Sequence, residues 1–246
     1  MSGTDSSAIV WLADFGHSGI VRLGVEYQPI VSLAGGEIVA YEALARFSAA
    51  SGKLLSNPQV FADLHRQPDR LLCTELQLKM IQLQAAPSSV PLFVNLDPHI
   101  LEADPLIVEE LLAILREGEV VVELIENTCM HDARAAPELQ RLLQTRQIEV
   151  ALDDIGACGT LLSLDCLAGA DYLKFDRAWL QRLRDGHEQV ELLEGFVRYA
   201  RTAGKRTVLE GVETPDCLER ARQAGVDFVQ GYYYQDSFVV YHGSGV

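Results

Sequence analysis

The chain has 246 residues, of which 48% are hydrophobic and 7% aromatic, and its formal net charge is −15. A chain of this length buries enough apolar surface for one large core, and barrels of this size are routinely single domains. The negative charge disfavours binding to DNA, RNA or anionic lipid, because it repels their phosphates. A small anionic ligand is still compatible with this charge, because metal ions reverse the local charge of a site.

Cysteine use and hydropathy indicate an intracellular location. The five cysteines are odd in number and include no pair with Cys-x-x-Cys spacing, so we interpret them as reduced thiols of a cytoplasmic protein. No segment approaches the roughly 18 apolar residues that are needed to cross a bilayer, and the N-terminus lacks the pattern of a secretory signal. We therefore expect neither membrane insertion nor a nucleic acid polymer as a partner.

From about residue 25 onward, short apolar runs alternate with longer amphipathic stretches. The runs have strand length and several are rich in β-branched residues, which predicts strands. The expected strands cover residues 25–31, 38–45, 92–96, 120–125, 148–152, 172–175, 207–209 and 227–229. Between most of them, apolar residues recur at three- and four-residue spacing, which predicts helices. The clearest of these cover residues 105–116, 136–145, 188–203 and 215–224.

The connections between the strands decide the topology. A short turn from Leu33 to Gly36 joins the first two strands and predicts an antiparallel pair, whereas the later alternation with helices predicts a parallel sheet. An open doubly wound sheet and a closed barrel both fit this order, but polar residues at the ends of many strands favour the barrel. We predict an α/β fold, a single modified (β/α)8 TIM barrel with an antiparallel strand pair near the start. The barrel domain would cover residues 21–246, after an N-terminal extension of residues 1–20 that is either a short helix or disordered.

The polar residues at these strand ends suggest a metal site. Each one alone is as readily explained as a cap for the next helix, but buried charges are costly unless they are paired or bound to a metal. Because all the ligands would be oxygen atoms, Mg²⁺ or Mn²⁺ is favoured over zinc. Two adjacent carboxylates allow a second ion at about 3.5–4 Å from the first, which suits phosphodiester hydrolysis. The residues concerned are Asn95, Glu123, Asp153, Asp154, Lys174 and Glu210.

Other residues with metal-binding side chains show no comparable pattern. The six histidines have no metal-ligand spacing and are interpreted as surface or loop residues. Asp97 precedes Pro98 and is interpreted as a turn former or helix cap.

An ordered set of short motifs resembles the EAL-domain family of cyclic di-GMP phosphodiesterases. The family takes its name from the triplet that stands here as Glu42-Ala43-Leu44, and the resemblance runs from about residue 25 to about residue 234. Three residues alone have little specificity, but chance agreement at so many places in order is negligible. The motifs are Tyr27-Gln28-Pro29-Ile30, Tyr41-Glu42-Ala43-Leu44-Ala45-Arg46, Val94-Asn95-Leu96, Glu123-Leu124-Ile125-Glu126-Asn127, Asp153-Asp154, Tyr172-Leu173-Lys174-Phe175-Asp176-Arg177, Glu210-Gly211-Val212-Glu213-Thr214 and Gln230-Gly231-Tyr232.

The resemblance implies a role for each matching residue. A water activated by two ions would attack phosphorus and convert cyclic di-GMP to linear pGpG, and Lys174 would orient that water or stabilise charge on the phosphoryl oxygens. Homodimers are expected by the same resemblance. The implied ligands are Glu42, Asn95, Glu123 and Asp153 for the first ion and Asp153, Asp154 and Glu210 for the second. The implied catalytic residues are Asp153, Asp154, Lys174 and Glu210, and the implied substrate contacts are Gln28, Leu44, Arg46, Glu213 and Gln230.

One loop departs from the family pattern. After Asp153-Asp154 the family usually continues Phe-Gly-Thr-Gly-Tyr-Ser-Ser, whereas this chain reads Ile155-Gly156-Ala157-Cys158-Gly159-Thr160-Leu161. By resemblance, Glu126 anchors this loop, which couples the metal site to a dimer interface. Because Cys158 disfavours a positive φ angle, we expect an altered loop path. The alternative function is therefore a non-catalytic cyclic di-GMP receptor or a protein-interaction module. In either case regulation would come from expression, from a regulatory protein partner or from further domains.

Overall fold

The computed structural model describes residues 20–49, 51–87, 90–125, 132–185 and 187–242. Eight strands close into a barrel in the order β1, β2, β4, β5, β6, β7, β8, β9, and β9 returns to pair with β1. Two further strands extend the sheet outside the barrel, β10 on β1 and β3 on β2. The strands are β1 Ile20–Ser32, β2 Ile38–Ala49, β3 Leu54–Leu55, β4 Leu92–Asn95, β5 Val120–Ile125, β6 Glu149–Ile155, β7 Tyr172–Phe175, β8 Arg206–Leu209, β9 Phe228–Gln230 and β10 Val239–His242.

The first strand gives the barrel its modified topology. β1 runs antiparallel to both of its barrel neighbours, β2 and β9, while the pairings from β2 through β9 are all parallel. The turn between β1 and β2 is too short for a parallel crossover, and Gly36, with a φ of 77°, donates its N–H to the carbonyl of Ser32 at 2.9 Å. The predicted TIM-barrel class and the antiparallel opening pair are thus confirmed. Residues 1–19 lie outside the described residues, so the N-terminal extension stays a prediction.

The helices surround the barrel, and capping residues set several of their ends. At the start of α8, the Thr214 hydroxyl accepts from the N–H of Cys217, and Pro215 occupies the first turn. α8 ends at Gly225, whose φ of 74° is the left-handed conformation typical of a glycine C-cap. The helices are α1 Asn57–Leu64, α2 Pro68–Gln84, α3 Pro105–Glu117, α4 Asp132–Thr145, α5 Leu164–Gly169, α6 Ala178–Asp185, α7 His187–Thr202 and α8 Pro215–Ala224, with 3-10 helices at Pro98–Glu102 and Tyr232–Ser237. None of these described helices is long and apolar enough to cross a bilayer.

A layer of apolar side chains fills the inside of the barrel. Successive side chains of a strand point to opposite faces, so each strand sends one set of residues inward and the other toward the helices. Two larger apolar clusters lie between the strands and the helices. The inner layer contains Ile30, Ala40, Phe93, Val121, Ala151, Tyr172 and Val208, with Val39 and Phe228 packed against it.

Candidate functional site

A ring of polar side chains lies directly above the apolar layer of the barrel. Side chains two positions apart on a strand point to the same face, so the residue two positions after an inner apolar residue also points into the barrel. Ala40, for example, is followed by Glu42, and Tyr172 by Lys174. In β1, which runs the other way, Ile30 is preceded by Gln28. The full ring is Gln28, Glu42, Asn95, Glu123, Asp153, Lys174, Glu210 and Gln230.

Lys174 lies at the centre of the ring and is fully buried. Its Nζ contacts four carboxylates. The distances are 2.7 Å to Glu210 Oε1, 3.1 Å to Asp153 Oδ1 and 3.4 Å to Glu42 Oε2, and Glu123 Oε1 is in contact as well. Burial would lower the pKa of Lys174, but the charges of Asp153, Glu123 and Glu210 outweigh it and hold the pKa well above its usual value. The side chain is therefore a permanent cation at neutral pH.

A bulge in β6 brings two consecutive carboxylates to the same side. The β6–β7 register pairs Leu152 with Leu173 and then Ile155 with Phe175, so that Asp153 and Asp154 both lie opposite Lys174. Asp154 has a φ of 56°, in the left-handed region that Asp tolerates better than most residues. Without the bulge, Asp154 would point away from Asp153. The local backbone therefore determines that both carboxylates reach the mouth of the barrel.

The carboxylates form two clusters that share Asp153. One cluster is Glu42, Glu123 and Asp153, and the other is Asp153, Asp154 and Glu210. In each, three ligand oxygens lie within 4.8 Å of one another. Five carboxylates against the single ammonium of Lys174 leave a formal charge of −4, which two divalent cations would balance.

Asn95 joins the first cluster through its side-chain amide. Its Nδ2 donates to Glu123 Oε2 at 2.9 Å and to Glu42 Oε1 at 3.3 Å. To bind a cation, this amide must turn its oxygen inward.

Two buried oxygens show that the clusters suit a cation. Glu123 Oε1 and Asp153 Oδ1 accept no hydrogen bond of normal geometry within the described residues and are paired in charge with Lys174. Burial, and then the charge of Glu42, raises the pKa of Glu123 well above its usual value. Burying a carboxylate in this way is costly unless a cation compensates it. The residues therefore fit two hard divalent ions.

Asp154 and Glu210, which form the second cluster with Asp153, both have raised pKa values. Burial, and then the charge of Asp153, raises the pKa of Asp154 to about 7. Burial also raises the pKa of Glu210 well above its usual value, although Lys174 opposes the shift. A bound cation would favour the charged forms, so protons and metal ions compete for these groups.

Gln230, on β9, is hydrogen-bonded to Glu42 on β2. Its Nε2 donates to Glu42 Oε2 at 2.5 Å and to Gln28 Oε1 at 3.4 Å. Burial alone would raise the pKa of Glu42, but the Lys174 ammonium and the Gln230 amide outweigh it and lower the pKa. Glu42 is therefore held as an anion before any metal binds.

A cavity of about 770 Å³ opens above the ring. Four of the predicted substrate contacts line it, namely Gln28, Leu44, Glu213 and Gln230. Arg46, the fifth, is not among the lining residues. Its guanidinium is paired with Glu26, with Nη2 at 2.9 Å from Glu26 Oε1.

Two residues in or beside the cavity were not predicted from the sequence. Arg177 lines the cavity although only its motif was noted. Glu26 binds both Arg46 and the Gln28 amide, the latter at 2.8 Å, and no sequence signal marks it apart from its place two residues before Gln28.

The histidines show no metal-ligand spacing in the sequence, but the tertiary structure brings two of them together. His65 and His99 meet at the carboxylate of Asp97, in a group able to hold a metal ion. The predicted capping role of Asp97 is confirmed, since Oδ1 accepts from the N–H of His99 at 2.9 Å.

The loop after Asp154 follows a path that suits its sequence. Left-handed backbone occurs at Gly156, with a φ of 85°, and at Gly159, with a φ of 87°, and not at Cys158 between them. Cys158 is an exposed free thiol. Cys158 therefore avoids a positive φ angle, and the expected difference of the loop path from that of the family stays a prediction. The predicted loop anchor, Glu126, lies outside the described residues.

Comparisons with known proteins agree on one family. The family model of the EAL domain matches residues 19–237. A protein of Escherichia coli (strain K12), named probable cyclic di-GMP phosphodiesterase PdeB, is 32% identical over 222 residues, which cover 85% of this chain and 42% of that protein. The chain spans less than half the length of these curated relatives, with 42%, 36% and 43% for three of them.

Solved structures share the fold. The FimX EAL domain from Pseudomonas aeruginosa bound to c-di-GMP matches with a TM-score of 0.72 at 22% identity, over 93% of this chain and 95% of that one. A manganese and cyclic di-GMP complex of BlrP1 from Klebsiella pneumoniae matches with a TM-score of 0.68 at 25% identity, over 86% of this chain and 55% of that one.

Proposed function

The chain belongs to the EAL domain family, and from that premise we propose that it hydrolyses cyclic di-GMP to linear pGpG with two Mg²⁺ or Mn²⁺ ions. The observation that carries the proposal is the pair of carboxylate clusters that share Asp153 around a buried Lys174. A structural core has no use for this much uncompensated negative charge. The curated relative PdeB is named a probable cyclic di-GMP phosphodiesterase, which supports the same substrate.

The two clusters would hold the two ions. Glu42, Asn95, Glu123 and Asp153 would bind the first, and Asp153, Asp154 and Glu210 the second. When bound, the ions supply an activated water for in-line attack on phosphorus and neutralise the phosphate. Asp153, as the shared member, sets the separation of the two positions, and the bulge at Asp154 fixes the direction of the second.

Lys174, which lies in the ring below the cavity, would act on the reacting group from that side. Its ammonium is fixed by contacts with carboxylates of four strands, so it does not need to reorganise when charge develops on the phosphoryl oxygens. With two divalent ions held by the carboxylates, Lys174 would keep its ammonium beside Asp153 and Glu210 and could donate to the attacking water or to the phosphate.

The substrate would lie in the 770 Å³ cavity above the ring. Gln28, Leu44, Glu213 and Gln230, which line this cavity, would contact its bases and sugars. Arg177, at the rim, adds a guanidinium that suits a phosphate oxygen. Arg46 would reach a phosphate only after leaving Glu26, so binding through Arg46 includes the loss of that ion pair.

A second candidate, a non-catalytic receptor for cyclic di-GMP, has one observation in its favour, since the loop after Asp154 departs from the family pattern. Exposed leucines next to that loop, Leu161 at 54% and Leu164 at 73%, suit a homodimer contact or a regulatory protein partner, which belong to the proposal in either form.

Product analysis tests the proposal. Purified protein is incubated with cyclic di-GMP and Mg²⁺ or Mn²⁺, and the nucleotides are separated by chromatography. The variants are Glu42→Gln, which removes a ligand, and Glu37→Gln, which changes an exposed carboxylate in the turn of the same hairpin. We expect linear pGpG from the unmodified protein and from Glu37→Gln, and a loss of at least 100-fold in Glu42→Gln. Binding without product would assign the receptor function, and absence of both would overturn the cyclic di-GMP assignment.

A further inference from the structure

A second group of metal-binding side chains lies in the wall of the cavity, apart from the carboxylate ring. His65 and His99 both contact the carboxylate of Asp97. His65 Nε2 meets Oδ2, and His99 Nδ1 lies 2.8 Å from Oδ1. The two imidazole rings lie side by side, with centroids 4.5 Å apart and planes inclined by 31°. None of the three residues belongs to the motifs quoted above.

Separate elements bring these three residues together. His65 follows the last turn of α1 and donates its backbone N–H to Phe61 O. Asp97 and His99 stand at the start of the 3-10 helix Pro98–Glu102, where Asp97 is the cap. The cluster therefore depends on the packing of α1 against the segment that follows β4.

The carboxylate at the centre of the group is held by a buried support. The backbone N–H of Asp97 donates to Glu75 Oε1 at 3.2 Å. Glu75 in turn pairs with Lys79 at 2.6 Å, and both side chains are only 2% exposed. This support holds the backbone of Asp97, and the N–H of His99 holds its carboxylate by donating to Oδ1 at 2.9 Å.

We propose that His65, Asp97 and His99 form a binding site for a first-row transition metal ion, with Zn²⁺ as the representative. Their ligand atoms already lie within 4.8 Å of one another, and tetrahedral zinc needs a separation of roughly 3.3 Å between ligand atoms, by the usual zinc–nitrogen distance. The His65 side chain is 38% exposed, so its imidazole has room to move until the ligand atoms reach this separation. Two imidazoles and one carboxylate suit zinc, cobalt or nickel and are a poor set for Mg²⁺.

An ion held by these three residues would lie at the wall of the cavity. His65 and Asp97 line the same cavity as Asp153 and Asp154, and three protein ligands leave a tetrahedral ion one position for water or a ligand atom. A divalent ion here adds positive charge to a wall of the cavity. The proposal does not depend on hydrolysis of cyclic di-GMP, because it concerns only the binding of the ion.

Co²⁺ and Zn²⁺ titrations of the full chain in millimolar Mg²⁺ test this site. Mg²⁺ occupies the all-oxygen clusters, and Co²⁺ reports imidazole ligation at low coordination number by intense visible absorption. We expect one Co²⁺ per chain, displaced by Zn²⁺, with affinity reduced at least about tenfold in His65→Ala and in His99→Ala. His242→Ala, an exposed histidine on β10, is the matched control and should bind as the unmodified protein does.

Two further measurements distinguish the loss of metal binding at this site from loss of folding and from binding at the carboxylate ring. Circular dichroism melting checks that each histidine variant is folded, and His65→Gln serves if His65→Ala is not. Asp154→Asn changes the carboxylate ring alone and should keep the Co²⁺ signal. Absence of binding, binding that both histidine variants retain in full, or a signal lost only in Asp154→Asn would overturn the proposal.

Discussion

The Nζ atom of Lys174 lies 3.1 Å from Oδ1 of Asp153, the carboxylate that both acidic clusters share. In the absence of metal, this ammonium is the one cation that the described residues place among the five carboxylates of the ring. Two divalent ions bound at these clusters would therefore compensate the same negative charge as Lys174. The stability of the barrel and its metal affinity are coupled through this arrangement.

Replacing Lys174 by methionine should destabilise the metal-free protein strongly. Loss of one partner of a buried ion pair typically costs about 3–5 kcal/mol, which for a chain of this size corresponds to a fall of about 10 °C in Tm. Saturating Mn²⁺ should recover much of the loss, because the ions replace the missing charge. Differential scanning calorimetry with and without Mn²⁺ measures both effects.

Lys53→Met is the control for Lys174→Met, since Lys53 is exposed. It should melt within about 1 °C of the unmodified protein in both conditions, as surface substitutions usually do. Equal melting of Lys174→Met and Lys53→Met without metal would contradict the central role of the ammonium.

Metal affinity should rise with pH because of Asp154. Its pKa is raised to about 7, so metal binding below pH 7 must displace a proton. The affinity for Mn²⁺ should be about tenfold higher at pH 8 than at pH 6 from this group alone. Calorimetric titrations in buffers of different ionisation enthalpy would measure the affinity and the proton released, and an affinity that does not change with pH would refute the prediction.

The same group gives the metal-free protein an unusual pH dependence. The pKa of Asp154 is higher in the folded state than in the unfolded state, so the folded protein binds more protons between about pH 4 and 7. The contribution of Asp154 to the free energy of unfolding therefore falls as pH rises through this window. Urea unfolding in EDTA at pH 5.5 and 8 should show this loss, and Asp154→Asn should reduce it. A free energy of unfolding with the same pH dependence in both proteins would assign the effect to other groups.

The left-handed backbone at Asp154 should separate two substitutions that remove the same carboxylate. Asp154→Asn and Asp154→Ala should weaken metal binding equally, but alanine at a φ of 56° should lower the free energy of unfolding by about 1 kcal/mol more. Urea denaturation at one pH, in EDTA, compares them. Equal stability of the two variants would mean that the bulge relaxes when the carboxylate is lost.

Gly156 should tolerate no side chain, although Gly159 should. Both have positive φ angles, but a Cβ at Gly156 would lie 2.4 Å from Nε1 of buried Trp179, while a Cβ at Gly159 meets no atom within 4 Å. Gly159→Ala should cost about 1 kcal/mol through backbone strain alone. Gly156→Ala should cost about 2 kcal/mol more, because Trp179 must shift and lose its 2.7 Å bond to Ile155 O.

Chemical denaturation of these two glycine variants distinguishes strain from steric overlap. If both lose the same free energy of unfolding, the contact with Trp179 has no part in fixing the loop.

The local pattern of the sequence accounts for much of the fold and of the metal clusters. Alternation along a strand has a period of two residues, so once Val121 is known to face inward, Glu123 follows as the next inward side chain. The acidic residues at the strand ends, the antiparallel first strand pair and the barrel class were all predicted from local sequence patterns. The same rule explains why Lys174 could be placed with Tyr172 on the inner face.

Contacts between distant segments were decided only by the tertiary structure. Gln230 reaches Glu42 across 188 positions in sequence because β1 and β9 close the barrel with one particular register. Asp154 joins Asp153 because a bulge overrides the alternation. His65 meets Asp97 because α1 packs beside the segment after β4. The sequence by itself determined the strands and the polar residues at their ends, since both depend on patterns of a few neighbouring residues. Only the tertiary structure decided which of them touch, because contact depends on register, closure and helix packing over the whole chain.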